Sequence, residues 1–240
     1  MELNTYPLVC TRGVVLYPNQ EIVIDVGRDT SVHAVENAQD NYDKKICLFS
    51  QKELEQENPG KEDIYSVGTL CEVRHIRRFD NFLRVKFRGI KRVKLNNWIN
   101  GSLSDLAEVE ILESEKQDAV EEEALIRMIA DELDRMQGQD RFVTKEIVME
   151  ISKGMGGEFL SDKAVQGLPL DIERKQQYLE TLGVNDRLMM LLQDMAKEKK
   201  MSEVEQQINE TVKERIDQGQ KDYYLREKMN VIREELGDTV

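Results

Sequence analysis

Cysteine, histidine and proline are scarce in these 240 residues, and each shortage excludes something. Cys10, Cys47 and Cys71 are odd in number and widely spaced, which rules out a disulfide framework and predicts free thiols in a reducing cytoplasm. With only His33 and His75, a histidine-built metal site is excluded, and nothing marks either as the base beside a nucleophile. The four prolines are Pro7, Pro18, Pro59 and Pro169, so the last seventy residues hold no helix breaker of that kind. No apolar run is long enough to span a bilayer, and the start Met-Glu-Leu-Asn lacks the basic and apolar regions of a secretory signal. No membrane partner is expected. Basic charge is the minority: 34 Lys and Arg face 47 Asp and Glu, a net charge of −13. That sign disfavours nucleic acid as the main partner.

What remains divides by period. Up to about residue 116 the apolar residues alternate in short runs. Ile22, Ile24 and Val26 share one face of a strand, and Asp29 or Thr30 is placed to cap a short helix carrying Val32, Val35 and Ala38. Ile46 to Phe49 is a further strand. Thr69 to Arg77 and Leu83 to Arg88 alternate on either side of Asp80-Asn81, a hairpin signature. Separate strands are predicted near Arg92 to Leu95 and Ala107 to Leu112. Many short strands with one early helix imply a small sheet closed on itself.

From Asp118 the spacing becomes helical. Leu125, Met128, Ile129, Leu133 and Met136 form one stripe ending near Gly138; Val143, Ile147 and Ile151 a second ending at Gly154; Ala164, Val165 and Leu168 a third. A fourth helix opens at Pro169-Leu170-Asp171. The last helix runs from about 184 to 236, capped by Asn185 and closed by Gly237, with its first apolar residues, Leu188 to Met195, packed into the bundle. At 1.5 Å per residue it would measure roughly 80 Å, so it has to reach past its own core. Gly219 inside it costs about 1 kcal/mol relative to alanine and marks a soft point. The expected class is α+β: an amino-terminal β-rich pseudo-barrel (1–116) with one short helix, then an α-helical bundle (117–240) ending in a very long helix.

Four stretches are of chemical interest. Gly154-Met155-Gly156-Gly157 has no following Lys-Ser/Thr and no preceding strand, so it is an inter-helix loop and not a phosphate cradle. Cys71 and His75 would lie on one face of a strand, two ligands short of a metal site. Glu121-Glu122-Glu123 complement a helix dipole. The segment 71–94 is different, with nine basic residues (Arg74, Arg77, Arg78, Arg84, Lys86, Arg88, Lys91, Arg92, Lys94) against Glu72 and Asp80. These are either outer faces of edge strands guarded by charge, or a recognition surface with Phe79 and Phe82 beside the turn. Candidate substrate contacts are Phe79, Phe82, Arg84 and Arg88. Candidate docking or inter-subunit contacts are Tyr223, Tyr224, Leu225, Arg226 and Met229, since the stripe through Leu225, Met229, Ile232 and Leu236 has no partner left in the chain. No catalytic, cofactor or metal residue is assigned.

Four ordered stretches resemble the amino-terminal region of the bacterial Lon proteases: Pro7-Leu8 with Arg12 to Pro18 and Asp25 to Arg28; Val67-Gly68-Thr69 with Val85 and Gly89 to Val93; Leu168-Pro169-Leu170 with Tyr178 to Leu182; and Gln220 to Glu227 with Glu234 to Gly237. The resemblance implies a substrate-recognition domain and helical linker leading to an ATPase module and a Ser-Lys protease, neither of which occurs before Val240. ATP and Mg would belong to that absent module. It further implies capture of unfolded or tagged polypeptides, a homo-hexamer, protein quality control by ATP-dependent proteolysis, and a cytoplasmic location. Two alternatives stay open: a nucleic-acid-binding regulatory module using 71–94, with weak DNA binding, and a free-standing helical or coiled-coil adaptor. Slippage of a/d spacing around Lys197 to Ser202 argues against a long regular two-stranded coil.

Overall fold

The computed structural model describes residues 4–136 and 145–235. Six strands and a helix come first: β1 (Asn4–Thr11), β2 (Glu21–Val26), α1 (Asp29–Asn41), β3 (Lys45–Ser50), β4 (Val67–Arg78), β5 (Leu83–Ile99) and β6 (Leu106–Leu112). Five helices follow: α2 (Ala119–Met136), α3 (Lys145–Ser152), α4 (Gly157–Gly167), α5 (Ile172–Glu180) and α6 (Val184–Glu235). The α+β class and its order are as the sequence implies. Two compact units are distinguished, Met1–Gln193 and Asp194–Val240.

The sheet order is β2-β5-β4-β3-β1-β6, and β6 pairs back onto β5. Five strands therefore close a ring, with β2 added along the first half of β5. All pairings are antiparallel except β1 with β3, whose crossover connection runs through β2 and α1. Closure removes most free edges, which a small sheet of this size otherwise exposes. It also corrects two expectations. The strands predicted at Leu83–Arg88 and Arg92–Leu95 are one strand of 17 residues. That strand has β4 on one side and β2, then β6, on the other, so its basic side chains do not guard an edge.

Two apolar clusters fill the domain. One, under α1, joins Val9, Ala34, Val35, Ile46, Cys71, Val85 and Phe87. The other, inside the ring, joins Leu8, Cys47, Phe49, Leu70, Val93, Leu95 and Val109. Complete burial of Phe87 contributes about 1.5–3 kcal/mol on its own. Gly89 of β5 lets the backbone at Tyr17, in the connection between β1 and β2, approach: a Cβ on it would stand 2.2 Å from the Tyr17 carbonyl oxygen.

Local detail departs from the pattern in several places. Arg28 is the first cap of α1, without a side-chain bond, and Asp29 lies inside the first turn. Asn185 is not a cap either; it sits in the first turn of α6 and donates to the Asp118 carbonyl and Glu121 Oε2. Asp171 does cap α5, accepting from the Arg174 amide at 2.7 Å. A register shift between Val73 and His75 rotates β4, so Cys71 is buried while His75 is exposed, and the two do not share a face. Met128 and Met189 are exposed, whereas Leu125, Ile129, Leu133, Leu188 and Leu191 are buried. Val143, Gly138 and Gly237 lie outside the described residues. Helix α6 runs unbroken through Gly219 for 52 residues, and every residue from Glu203 to Glu235 is exposed. All three thiols are free, and burial pushes each upward, Cys10 to about 12.

Within the first unit the sheet is fastened to the helices by polar groups. Arg92, at 2% exposure, donates through both terminal nitrogens to the Asp162 carboxylate of α4, one bond at 3.0 Å, and through Nε to the Leu179 carbonyl at 3.1 Å. Arg187 of α6 lies 3.9 Å from the same carboxylate and donates to Ser161 Oγ, Ser114 Oγ and the Thr181 carbonyl. Burial pushes the Asp162 carboxyl up, and the two guanidinium charges pull it back. Burial and the neighbouring Arg92 push Arg187 down to about 10. The Tyr17 hydroxyl donates to the Lys175 carbonyl at 2.7 Å, and Gln176 donates to the Val67 carbonyl at 2.8 Å. Alternation along 71–94 predicts an outward-facing Arg92. It is instead a buried anchor, because a bidentate carboxylate makes its burial tolerable.

Candidate functional site

The β4–β5 hairpin closes with the Phe79 amide donating to the Phe82 carbonyl at 3.0 Å. Strand alternation points Leu83, Val85 and Phe87 into the core and Arg84, Lys86 and Arg88 outward. At the tip the Phe79 and Phe82 rings stack, centroids 4.7 Å apart and planes 12° from parallel. Arg77 lies 5.2 Å from the Phe79 centroid, and Arg84 lies 5.3 Å and 5.7 Å from the Phe79 and Phe82 centroids. Guanidinium groups over aromatic faces are held by the ring quadrupole. Arg84 is fixed again from β2, donating to both Asp25 oxygens at 2.7 Å. Those bonds hold the Asp25 carboxyl below the usual carboxylate range. Two half-buried aromatic rings are thus displayed in a fixed arrangement at an exposed turn.

Phe79, Phe82 and Arg84 are therefore brought together as the sequence suggested. Arg88 is not in the stack; it faces outward four residues along β5, in register with Glu21 and Glu72. Around it most of the basic charge is already matched. Arg74 pairs with Glu72, Arg78 with Glu36, Lys86 with Glu21 and Lys91 with Glu113, besides Arg84 with Asp25 and the buried Arg92. Six of the nine basic residues in 71–94 thus have carboxylate partners. Those partners lie up to seventy positions away in sequence, which is why counting charge within the segment overstated the basic surface.

A cleft of about 330 Å³ opens beside the tip, lined by the end of β1, the end of β2 and the start of α1. Asp25 and Gly27 belong to both features. Asp25 lines the cleft while holding Arg84, and a Cβ on Gly27 would lie 3.8 Å from the Phe82 Cβ. Arg28, which lines the cleft with Arg12, donates to Gln51 Oε1 at 2.6 Å, and both arginines donate to the Gln56 carbonyl. Sequence reasoning did not single out this cleft; its lining comes from three elements that no local pattern joins.

The second compact unit carries the other candidates. Tyr223, Tyr224, Leu225, Arg226 and Met229 are all exposed on α6, and Lys228 lies 6.0 Å from the Tyr224 centroid. Among the described residues no cluster of His, Cys, Asp and Glu could hold a metal, and no helix is long and apolar enough to cross a membrane.

Residues 5–197 match the model of the ATP-dependent protease La (LON) substrate-binding domain. Lon protease of Brevibacillus choshinensis is 34% identical over 233 residues, covering 97% of this chain and 30% of that protein. Lon protease of Escherichia coli is 31% identical over 233 residues, with the same two coverages. The chain thus spans about 30% of the length of these curated relatives. Among solved structures it resembles the N-terminal domain of a Mycobacterium avium complex Lon protease (TM-score 0.65, 19% identity, 80% of this chain and 98% of that one). It also resembles a Lon N-terminal domain protein of Xanthomonas campestris (TM-score 0.56, 16% identity, 79% and 97%). A closed β ring with one crossover helix, continued by the helices through the start of α6, is the arrangement of residues over which the family match runs: the chain belongs to the Lon substrate-binding domain family.

Proposed function

We propose that this chain is the substrate-recognition and assembly region of an ATP-dependent Lon serine protease, and that it captures unfolded polypeptides through the β4–β5 hairpin tip. The observation that carries the reading is the stacked, half-buried Phe79–Phe82 pair, fixed by Arg77 and Arg84 at an exposed turn within a domain of the substrate-binding family. An unfolded chain offers apolar side chains that a folded protein conceals, and a pre-set aromatic surface accepts them at low entropic cost. A single such contact is weak. Several copies in one oligomer, a homo-hexamer in this reading, would gain through local concentration. The exposed stripe of α6 through Leu225 and Met229 would dock on the protein's own ATPase module, where ATP and Mg act, and would hold the β domain over the pore. The setting is cytoplasmic proteolysis of misfolded, damaged and short-lived regulatory proteins.

The test is binding of the purified chain to a fluorescent, permanently unfolded polypeptide, with its folded form and a DNA oligomer as controls. The unfolded chain should bind and the folded one should not, and Phe79→Ala with Phe82→Ala should weaken binding about tenfold. Equal binding of folded and unfolded forms, or binding of DNA alone with a steep salt dependence, would overturn the proposal. DNA is the lesser expectation because the hairpin's cations are largely spoken for by carboxylates.

A further inference from the structure

Arg12 and Arg28 stand out from the rest of the β domain's cations. In a protein with a net charge of −13, most basic side chains near the hairpin have a carboxylate within bonding distance. Among the described residues, Arg12 and Arg28 form no ion pair. Their bonds go to neutral oxygens: Arg28 to the Gln51 side chain and the Cys10 and Gln56 carbonyls, Arg12 to the same Gln56 carbonyl. Two like charges therefore converge on one neutral acceptor. Burial and the Arg12 charge both weaken Arg28's hold on its proton, while Glu57 acts on it without forming an ion pair. The remaining carboxylate of the cleft, Asp25, is already engaged by Arg84.

The walls beside this pair are apolar: Val9 and Val26 are buried, Val14 and Ile24 half-buried. At about 330 Å³ the cleft is at the small end for ligand pockets and admits a side chain or two, not a length of polypeptide. An apolar slot lined also by two guanidinium groups asks for an aliphatic side chain and a carboxylate close together. The last residue of a polypeptide carries both on one Cα. An internal acidic side chain carries only the charge, and its chain would have to continue through a cleft too small for it.

We infer that this cleft binds the free carboxyl terminus of an unfolded polypeptide, its last aliphatic side chain between Val14, Ile24 and Val26 and its carboxylate against Arg12 and Arg28. The inference rests on the substrate-recognition reading above and gives it a polarity. Because Asp25 and Gly27 adjoin both the cleft and the hairpin tip, a chain end seated here leads its preceding residues toward Phe79 and Phe82. Guanidinium groups suit the site because they meet a carboxylate with paired donors and retain their charge when partly desolvated.

The experiment uses the whole chain and a fluorescent peptide ending in Leu-Leu, either as the free acid or as the carboxamide. The free acid should bind about tenfold or more tightly than the amide, as loss of a charge-assisted bond implies. Arg12→Glu, at an exposed position, should abolish that difference without moving the thermal midpoint. Arg28→Lys should retain part of it, since the charge remains and the fork is lost. Equal affinity of acid and amide for the unaltered chain would overturn the inference, as would a preference that survives both Arg12→Glu and Arg28→Ala. An unfolded polypeptide with an amidated terminus separates the two readings. If it binds well while acid and amide peptides do not differ, the cleft assignment fails and substrate recognition stands. If no unfolded polypeptide binds but the free acid is preferred and that preference needs Arg12, the cleft stands and the broader reading fails.

Discussion

Replacing Asp162 by alanine removes one carboxylate and strands two guanidinium groups. Arg92 and Arg187 side chains are 1% and 0% exposed, so neither can recover its hydration without opening the sheet–helix contact. Removing one partner of a buried ion pair costs about 3–5 kcal/mol, chiefly because the remaining charge stays desolvated. Here two charges remain, which puts the expectation at the upper part of that range. Arg187 retains the Ser161, Ser114 and Thr181 oxygens and Arg92 retains the Leu179 carbonyl, which limits the loss. In a unit of this size about 1 kcal/mol moves the thermal midpoint by roughly 2–4 °C, so Asp162→Ala should lower it by about 8–20 °C. Chemical unfolding followed by far-ultraviolet circular dichroism gives the free energy. The companion double variant, Arg92→Met with Asp162→Leu, removes both ends together and should cost clearly less than the two single changes added, because well-packed apolar replacements of buried pairs are often near neutral. A change below about 0.5 kcal/mol for Asp162→Ala, or strict additivity in the double variant, would refute the anchoring role.

Gly89→Ala should destabilise by about 2 kcal/mol or more, since its Cβ meets the Tyr17 backbone and cannot be accommodated by a side-chain shift; thermal unfolding checks this. Asp25→Asn should flatten the acid side of the stability profile. The folded-state carboxyl lies below its unfolded value, so its contribution is present above the unfolded pKa and disappears as pH falls through the folded one, as unfolding between pH 6 and pH 3 would show. The three thiols should react slowly with a thiol-specific reagent at pH 8 in the native chain and promptly in denaturant, because burial disfavours every thiolate. Rapid native labelling of Cys47 or Cys71 would contradict their burial.

Local periodicity carried the architecture a long way. Alternation at Leu83 to Arg88 put the right side chains in the core, and the helical stripe of Leu125, Ile129 and Leu133 is the buried face of α2. The hairpin tip was visible because Phe79 and Phe82 flank a turn dipeptide. The misses share a cause. Arg92 falls on the same alternation as the outward Arg84, Arg88 and Lys94, and nothing nearby announces a carboxylate seventy positions on. The shift at Val73–His75 changes which face a side chain takes, and a pattern of period two has no means of recording an inserted residue. Arg12, Arg28 and Asp25 meet only because the ends of β1 and β2 converge on the start of α1. Composition shows what residues are present; partners distant in sequence are set by topology.

Strand β5 has a mechanical consequence. It begins beside the aromatic tip and passes Arg92 nine residues after Leu83, so the exposed end and the buried anchor share one extended backbone. A tug on the tip directed along that strand loads the cross-links to β4, β2 and β6 sideways and together, not one after another from an end. Arg92, clamped to α4 and to the Leu179 carbonyl, ties the far half of the strand to the helices. A polypeptide held at the tip and pulled lengthwise would therefore meet a stiff mount, whereas the same pull across the sheet would peel β2 from β5, the pairing without a second neighbour.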